Sequence, residues 1–308
     1  MILIDLSQIM WAGIYAQGNS YTKIDDDLIR HIILNSIRST RKKFASKYGE
    51  IVICCDGKNY WRKKINPYYK ANRKKARESS KIDMEVVFSS MDKIKEELKT
   101  VFPYKIIEVE GAEADDVIGT LCQRYASRET VAIISSDHDF AQLKKYGNVV
   151  HISPKTKKEI VETMSPDLFL KQHIIIGDSG DGIANLLSDI DTLVTEGKRQ
   201  KPISKKKLAE WVNMTPEEFC AETGVSIDRY RLNEKLVDLS KTPDELKQQI
   251  IAVYESEKKT PIGGWGNRIL NYFIKNRMKV MTDYLDDFTF RVKSPRPDNP
   301  VSLENFFA

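Results

Sequence analysis

Five short apolar runs, each separated from the next by a stretch with helical spacing, constrain this chain more than any other feature. They are ILIDLS (2–7), EIVICCDG (50–57), KIIEVE (105–110), VAIISSD (131–137) and NVVHIS (148–153). Continuous apolar strands linked by helical segments predict an α/β fold, a mostly parallel central sheet with helices on both faces, because such strands have no solvent side. Helices are predicted over 25–48, where Leu28, Ile32, Ile33 and Ile37 recur behind three Asp, over 84–102 up to Pro103, and over 112–126. A short helix is expected near 140–145, and the stretch between the first run and Asp25 reads as a loop. From Ser165 the strand signals fade. Pro166 opens LFLKQHIII, and Pro202, Pro216, Pro243 and Pro261 cut the remainder into short helical pieces. The expected organisation is an α/β domain over 1–164, a helical region over 165–290 and an extended Pro-rich tail over 291–308.

A chain of 308 residues with 41% apolar content can bury a core without disulfide staples and is too apolar for wholesale disorder. No run of 18 apolar residues exists, so no membrane association is expected, and MILIDLSQIM reads as a strand and not as a signal peptide. Cys54, Cys55, Cys122 and Cys220 form no CxxC pair. Two adjacent cysteines in a strand point to opposite faces, so reduced core thiols and a cytoplasmic location are expected.

The net charge of +5 conceals an uneven distribution. Lys58 to Lys81 carries ten basic residues and one acid, and Lys198 to Lys207 carries six basic residues and none. The rest of the chain stands at −10. Two concentrated basic stretches on an acidic body suggest a polyanion partner held at defined places, or else two solvated surface loops.

Ligand sites of open parallel sheets lie beyond the carboxyl ends of the strands. Asp5, Asp56 and Asp137 stand at three such ends, Glu113, Asp115 and Asp116 open the helix after the 105–110 strand, and Asp139 follows in SSDHDF. Asp178 and Asp181 form GDSGD after an apolar helix. Each motif alone is an ordinary cap or turn. Together, nine carboxylates on one rim require cations, and an oxygen-only set at this count suits Mg²⁺ or Mn²⁺. His31, His138, His151 and His173 are scattered, only His138 lies among the acids, and no zinc constellation is expected. The absence of GxGxxG, GxxxxGK[ST] and GxSxG disfavours dinucleotide, P-loop and serine-hydrolase chemistry.

DLS at Asp5, CDG at Asp56, EADD at 113–116, SSDHDF at 135–140 and GDSGD at 177–181 resemble the ordered carboxylate series of the structure-specific 5′-nuclease family. That family includes flap endonucleases and the 5′-nuclease domains of bacterial DNA polymerases. The likeness runs over roughly 1–285 and is strongest to the ribonuclease H branch of T-even bacteriophages, through YWRKKINPYYKANRKKARESS (60–80) and RYRLNEKLVDL (229–239). It implies a PIN-like fold and two Mg²⁺, with Mn²⁺ as substitute. Asp5, Asp56, Asp115 and Asp137 would surround the first ion with Glu113 close by, and Asp139, Asp178 and Asp181 the second. Asp116 joins the implied metal set from the outside.

Within 58–81, Tyr60, Trp61, Tyr68 and Tyr69 interleave with the cations, the ingredients of a single-strand site. Asn66-Pro67 is expected to break the segment into two helical arms, as in the family's arch. The resemblance makes Lys70 and Arg73 candidates for the scissile phosphate and Tyr69, Lys74, Lys75 and Arg77 for nucleic-acid contacts. A duplex-gripping helix-turn-helix is implied over about 181–211, with Lys205, Lys206 and Lys207 on phosphates, although the family's Gly-x-Gly hairpin is missing. In the tail, Leu303, Phe306 and Phe307 resemble a clamp-binding motif. The implied activity is that of a monomeric 5′-3′ exonuclease and flap endonuclease acting on RNA–DNA hybrids, 5′ flaps and nicked duplex during RNA-primer removal. The implied partners are a sliding clamp and a single-stranded-DNA-binding protein. Two alternatives are a non-catalytic clamp-tethered scaffold, which would have lost some ligands, and a PIN-type endoribonuclease, which lacks the arch and the helix-turn-helix.

Overall fold

The computed structural model describes residues 1–17, 24–74, 82–257 and 265–289. Its centre is a five-stranded sheet built from β1 (Ile2–Asp5), β2 (Ile51–Cys54), β3 (Lys105–Ile107), β4 (Val131–Ile134) and β5 (Val149–Ile152). The spatial order is β3-β2-β1-β4-β5 and every pairing is parallel, with Ile4 beside Ile53 on one side and Ile134 on the other. Side chains alternate between the faces. Ile2, Ile4, Ile53, Cys55 and Ile134 belong to one apolar cluster, and Leu3, Val52, Cys54 and Ile133 to the other. The adjacent cysteines therefore part as expected, and all four thiols are free.

Helices cover the first face with α1 (Leu6–Gln17), α2 (Asp26–Tyr48) and, after the short α3 (Trp61–Ile65), α4 (Met84–Val101). Residues 8–17, expected as loop, are helical. Leu6, Ile9, Met10 and Ile14 bury against the sheet, and a helix apolar on most sides carries little periodic signal to read. Both α2 and α4 begin where their Asp caps dictate, Asp25 accepting from the Leu28 amide and Asp83 from the Glu85 and Val86 amides. The second face is covered by α5 (Ala114–Tyr125) and by a 3-10 helix, His138–Tyr146, over the stretch where a short helix is expected.

After α6 (Pro166–Ile176) come α7 (Lys205–Trp211), α8 (Pro216–Thr223) and α9 (Ile227–Val237), which enclose a third core around Phe219, Tyr230 and Trp211. The last helices return to the sheet. Leu246, Ile250 and Tyr254 of α10 (Asp244–Ser256) join the core of the second face. Trp265, Ile269 and Phe273 of α11 (Trp265–Lys275), with Met281 and Phe288 of α12 (Lys279–Thr282) and α13 (Asp286–Thr289), join that of the first.

Candidate active site

The chain runs from β1 outward through β2 to β3 on one side, then crosses back to β4 and on to β5 on the other, so a crevice opens beyond the carboxyl ends of the adjacent β1 and β4. Asp5 ends β1 there, and its Oδ1 accepts the Gln8 amide at 3.0 Å, so the strand-end acid also caps α1. Asp56 is held on both oxygens, by the Ala114 amide at 3.0 Å and the Ser7 hydroxyl at 2.8 Å. A Cβ on Gly57 would lie 2.0 Å from the Val109 carbonyl oxygen, so only glycine lets β2 exit this close to the loop before α5. Asp137 accepts the Asp139 amide at 3.0 Å as the 3-10 segment begins.

Asp5, Asp56, Asp115 and Asp137 line one pocket of about 440 Å³, shared with Lys70 and Arg73 and walled on its apolar side by Trp11, Phe88 and Met91. Burial, then the neighbouring Asp56 and Asp137 carboxylates, push the Asp5 carboxyl up to about 8. Burial and the charge of Asp139 push Asp137 up to about 6, and burial and Asp137 raise Asp115. Acids that resist ionisation in one another's company, presented as oxygens in a pocket, fit divalent cations as counter-charges.

The nine carboxylates do not share one environment. Glu113, Asp116 and Asp181 are taken by cations from the basic segment. Arg62, itself buried, donates Nη1 to Glu113 Oε2 and Asp116 Oδ2, both at 2.9 Å, and Nε to the Leu236 carbonyl at 2.9 Å. Asp116 also accepts from the Trp61 indole at 3.2 Å, the Thr242 hydroxyl at 2.7 Å and the Glu113 amide at 2.9 Å. Burial alone would raise Asp116, but Arg62 and these donors outweigh it and hold the carboxyl below its ordinary range. With both oxygens occupied by these donors, Asp116 does not line the pocket of Asp5, Asp56, Asp115 and Asp137. Its place is structural.

Tyr69 departs from its expected role. Expected to stack on bases, it is 2% exposed, and its hydroxyl donates to Glu113 at 2.8 Å and Asp181 at 2.9 Å. Lys70, in a left-handed backbone conformation, binds Glu113 through its ammonium and sits 3.4 Å from Asp181, while Arg73 pairs with Asp181. Burial opposes ionisation of Asp181, but Lys70 and Arg73 prevail and lower it. The turn at 177–182 meets this segment closely. Gly182, at φ +74, leaves no room for a Cβ beside the Tyr68 carbonyl, 2.8 Å away. No local pattern separates Arg62 from its basic neighbours, so sequence reasoning passed over it.

Asp139 and Asp178 stand apart from that cation network, facing His173 on the last turn of α6. His173 Nε2 lies 3.0 Å from Asp139 Oδ1 and 3.9 Å from Asp178 Oδ2. Burial disfavours the imidazolium, but Asp139 outweighs it and raises the His173 pKa. The expectation that only His138 lies among the acids is therefore incorrect. The available signal was position: His173 lies one helical turn before the helix-ending Gly177, next to Asp178.

Among the expected nucleic-acid contacts, Lys74 is exposed, and Lys205, Lys206 and Lys207 are exposed on the first turn of α7, with Lys207 paired to Glu222 at 3.0 Å. Lys75, Arg77, Leu303, Phe306 and Phe307 lie outside the described residues, as does the part of the expected second arm that follows Lys74. The span 181–211 contains one regular helix, α7, and not the two of a helix-turn-helix. The Asn185 amide donates to Gln200 Oε1, its side-chain amide to the Lys201 carbonyl, and the Lys201 amide to Ser188 Oγ at 2.8 Å. These bonds close 185–201 into a turn-rich loop and divert the backbone from a helical ladder.

Residues 1–172 match the model described as 5′-3′ exonuclease, N-terminal resolvase-like domain, and residues 164–288 match T4 RNase H, C terminal. The chain is 35% identical over 294 residues to ribonuclease H of Enterobacteria phage T4, covering 93% of this chain and 95% of the relative. This chain belongs to the 5′-3′ exonuclease/flap endonuclease family. It is a nuclease, and its α/β fold is the family's. DNA polymerase I of Pseudomonas aeruginosa is 28% identical over 159 residues, covering 49% of this nuclease and 16% of the polymerase. The T5 5′-exonuclease with bound zinc superposes with a TM-score of 0.60 at 20% identity, covering 83% of the nuclease and 98% of the T5 chain. A T5 flap endonuclease in complex with DNA and metal ions superposes at 0.56 with 18% identity, covering 83% and 99%. A PIN-type endoribonuclease does not account for the match over 164–288, and the second reading, a non-catalytic scaffold, gives way to the nuclease family.

Proposed function

We propose that this nuclease hydrolyses phosphodiesters from 5′ ends of RNA–DNA hybrids and of DNA, including 5′ flaps and nicked duplex, and so removes RNA primers from newly replicated strands. The observation that carries the reading is the pocket of Asp5, Asp56, Asp115 and Asp137, with Lys70 and Arg73 on its edge. Two Mg²⁺ ions are assigned, the first to these four carboxylates and the second to Asp139 and Asp178. Ions bound there supply Lewis-acid stabilisation of charge on the attacking and leaving oxygens of an in-line displacement.

The chain's own residues do the rest. Burial and mutual repulsion favour the protonated forms of Asp5, Asp115 and Asp137, and bound cations would favour their ionised forms instead, so that the pocket presents anionic oxygens. Lys70 and Arg73, now held by Glu113 and Asp181, sit on the pocket's edge, where a phosphate would compete for them through charge-assisted hydrogen bonds of the same kind. Tyr69 and Arg62 keep Glu113 oriented from behind. Trp11 and Phe88 form an aromatic wall opposite the acids.

The reading is tested by comparing Mg²⁺-dependent cleavage of 5′-labelled RNA–DNA hybrid, nicked duplex and flap by the native chain and by Asp137→Asn. Expected is cleavage of all three by the native chain, and loss of cleavage with retained duplex binding in the variant. Full activity of Asp137→Asn in Mg²⁺ would refute the site.

A further inference from the structure

We infer that His173 is a metal ligand of this nuclease, the nitrogen donor that completes the second ion's site with Asp139 and Asp178 and tunes that site toward Mn²⁺ over Mg²⁺. The inference rests on the two-ion reading above and adds a residue and a selectivity to it.

Geometry carries it. The three ligand atoms all lie within 4.8 Å of one another. A cation with bonds of about 2.1 Å in an octahedral shell holds adjacent ligands roughly 3.0 Å apart and opposed ones roughly 4.2 Å apart. The His173–Asp139 separation of 3.0 Å matches the edge of such a shell, and the His173–Asp178 separation of 3.9 Å falls between edge and diagonal. Orientation agrees with distance. Asp178 Oδ1 is occupied by the Gly180 and Asp181 amides at 2.7 and 3.2 Å, which leaves Oδ2 turned to the imidazole. The His173 ring stacks on Phe169, one turn earlier in α6, at 5.7 Å and 18°.

Asp181, the other acid expected here, is engaged on both oxygens by Tyr69, Lys70 and Arg73. The third side chain available to Asp139 and Asp178 is therefore an imidazole. Mg²⁺ is a hard ion that prefers oxygen, whereas imidazole nitrogen is a good donor to first-row transition metals. One histidine in the shell shifts preference toward Mn²⁺ without excluding Mg²⁺.

The test is Mn²⁺ binding by the full chain, followed by electron spin-echo envelope modulation and by calorimetry. Expected is ¹⁴N modulation from a directly bound imidazole in the native protein, retained in His138→Gln and lost in His173→Gln. Mn²⁺ affinity at the weaker site should fall at least about tenfold in His173→Gln, with a smaller change for Mg²⁺. Absence of ¹⁴N coupling in the native protein would overturn the inference without using any variant, and would leave His173 as the partner of Asp139 alone. Survival of the coupling in His173→Gln would overturn it equally. Failure of the broader reading is distinguishable: the native protein would show the nitrogen signature and yet cleave none of the three substrates.

Discussion

Arg62 shows how much one residue can decide. It faces two buried carboxylates, Glu113 and Asp116, and a backbone carbonyl of α9, so it links the basic segment, the start of α5 and the helical region. Removing one partner of a buried ion cluster leaves the others charged and unsolvated. Arg62→Ala is therefore expected to destabilise the fold by about 3–5 kcal/mol, read from urea denaturation with unchanged m-value. A loss below about 1 kcal/mol, the range of exposed pairs, would show that water reaches the cluster. The site's acids were legible at this scale because strand-end and helix-start positions are local. Their partners were not: Arg62 looks like any other cation among ten, and nothing near Tyr69 marks it for burial.

At the scale of elements, the strands and the longer capped helices follow from period and turn chemistry, while α1 does not because it is apolar on most sides. The final helices illustrate the opposite case. Pieces 265–289 read as short and weakly patterned, yet Phe273 packs against Phe102 at 6.3 Å and Phe288 at 5.4 Å on the first face of the sheet. Phe273 is fully buried and lines no part of the acidic pocket. Phe273→Ala is expected to lower stability by about 3–5 kcal/mol, while the folded fraction cleaves at the native rate. Thermal melts paired with single-turnover assays check both halves. An equal loss of rate per folded molecule would mean that these helices act on the site directly. The loop at 185–201 is the other lesson at this scale, since polar side chains there satisfy the backbone in a way that hydrophobic spacing does not record.

For the molecule as a whole, the modest net charge averages an acidic sheet edge and a basic segment folded over it. The acids in the pocket bind protons more tightly in the folded state than in the unfolded one, Asp5 up to about 8 and Asp137 up to about 6 from an ordinary 3.8. Their contribution to stability is fully present below about pH 4 and is lost as pH rises through 6 and 8. Carboxyls held low, such as Asp116 and Asp181, act in the opposite sense but below pH 4, so they do not compete in that window. The metal-free protein is thus expected to lose stability between pH 6 and 8, and Mg²⁺ to raise Tm more at pH 8 than at pH 6. Scanning calorimetry with and without chelator checks this, and equal Mg²⁺ shifts at the two pH values would contradict it. From sequence alone came the α/β class, the parallel strands, the edge on which the acids gather and the oxygen chemistry they offer. These are settled by period, burial and turn preference, which act between near neighbours. Only the tertiary structure decided the strand order, the capture of three of the nine acids by Arg62, Lys70 and Arg73, and the placing of His173 against Asp139. Those contacts join segments remote in the chain, and they are selected by how buried charges and packed faces satisfy one another, which no local pattern encodes.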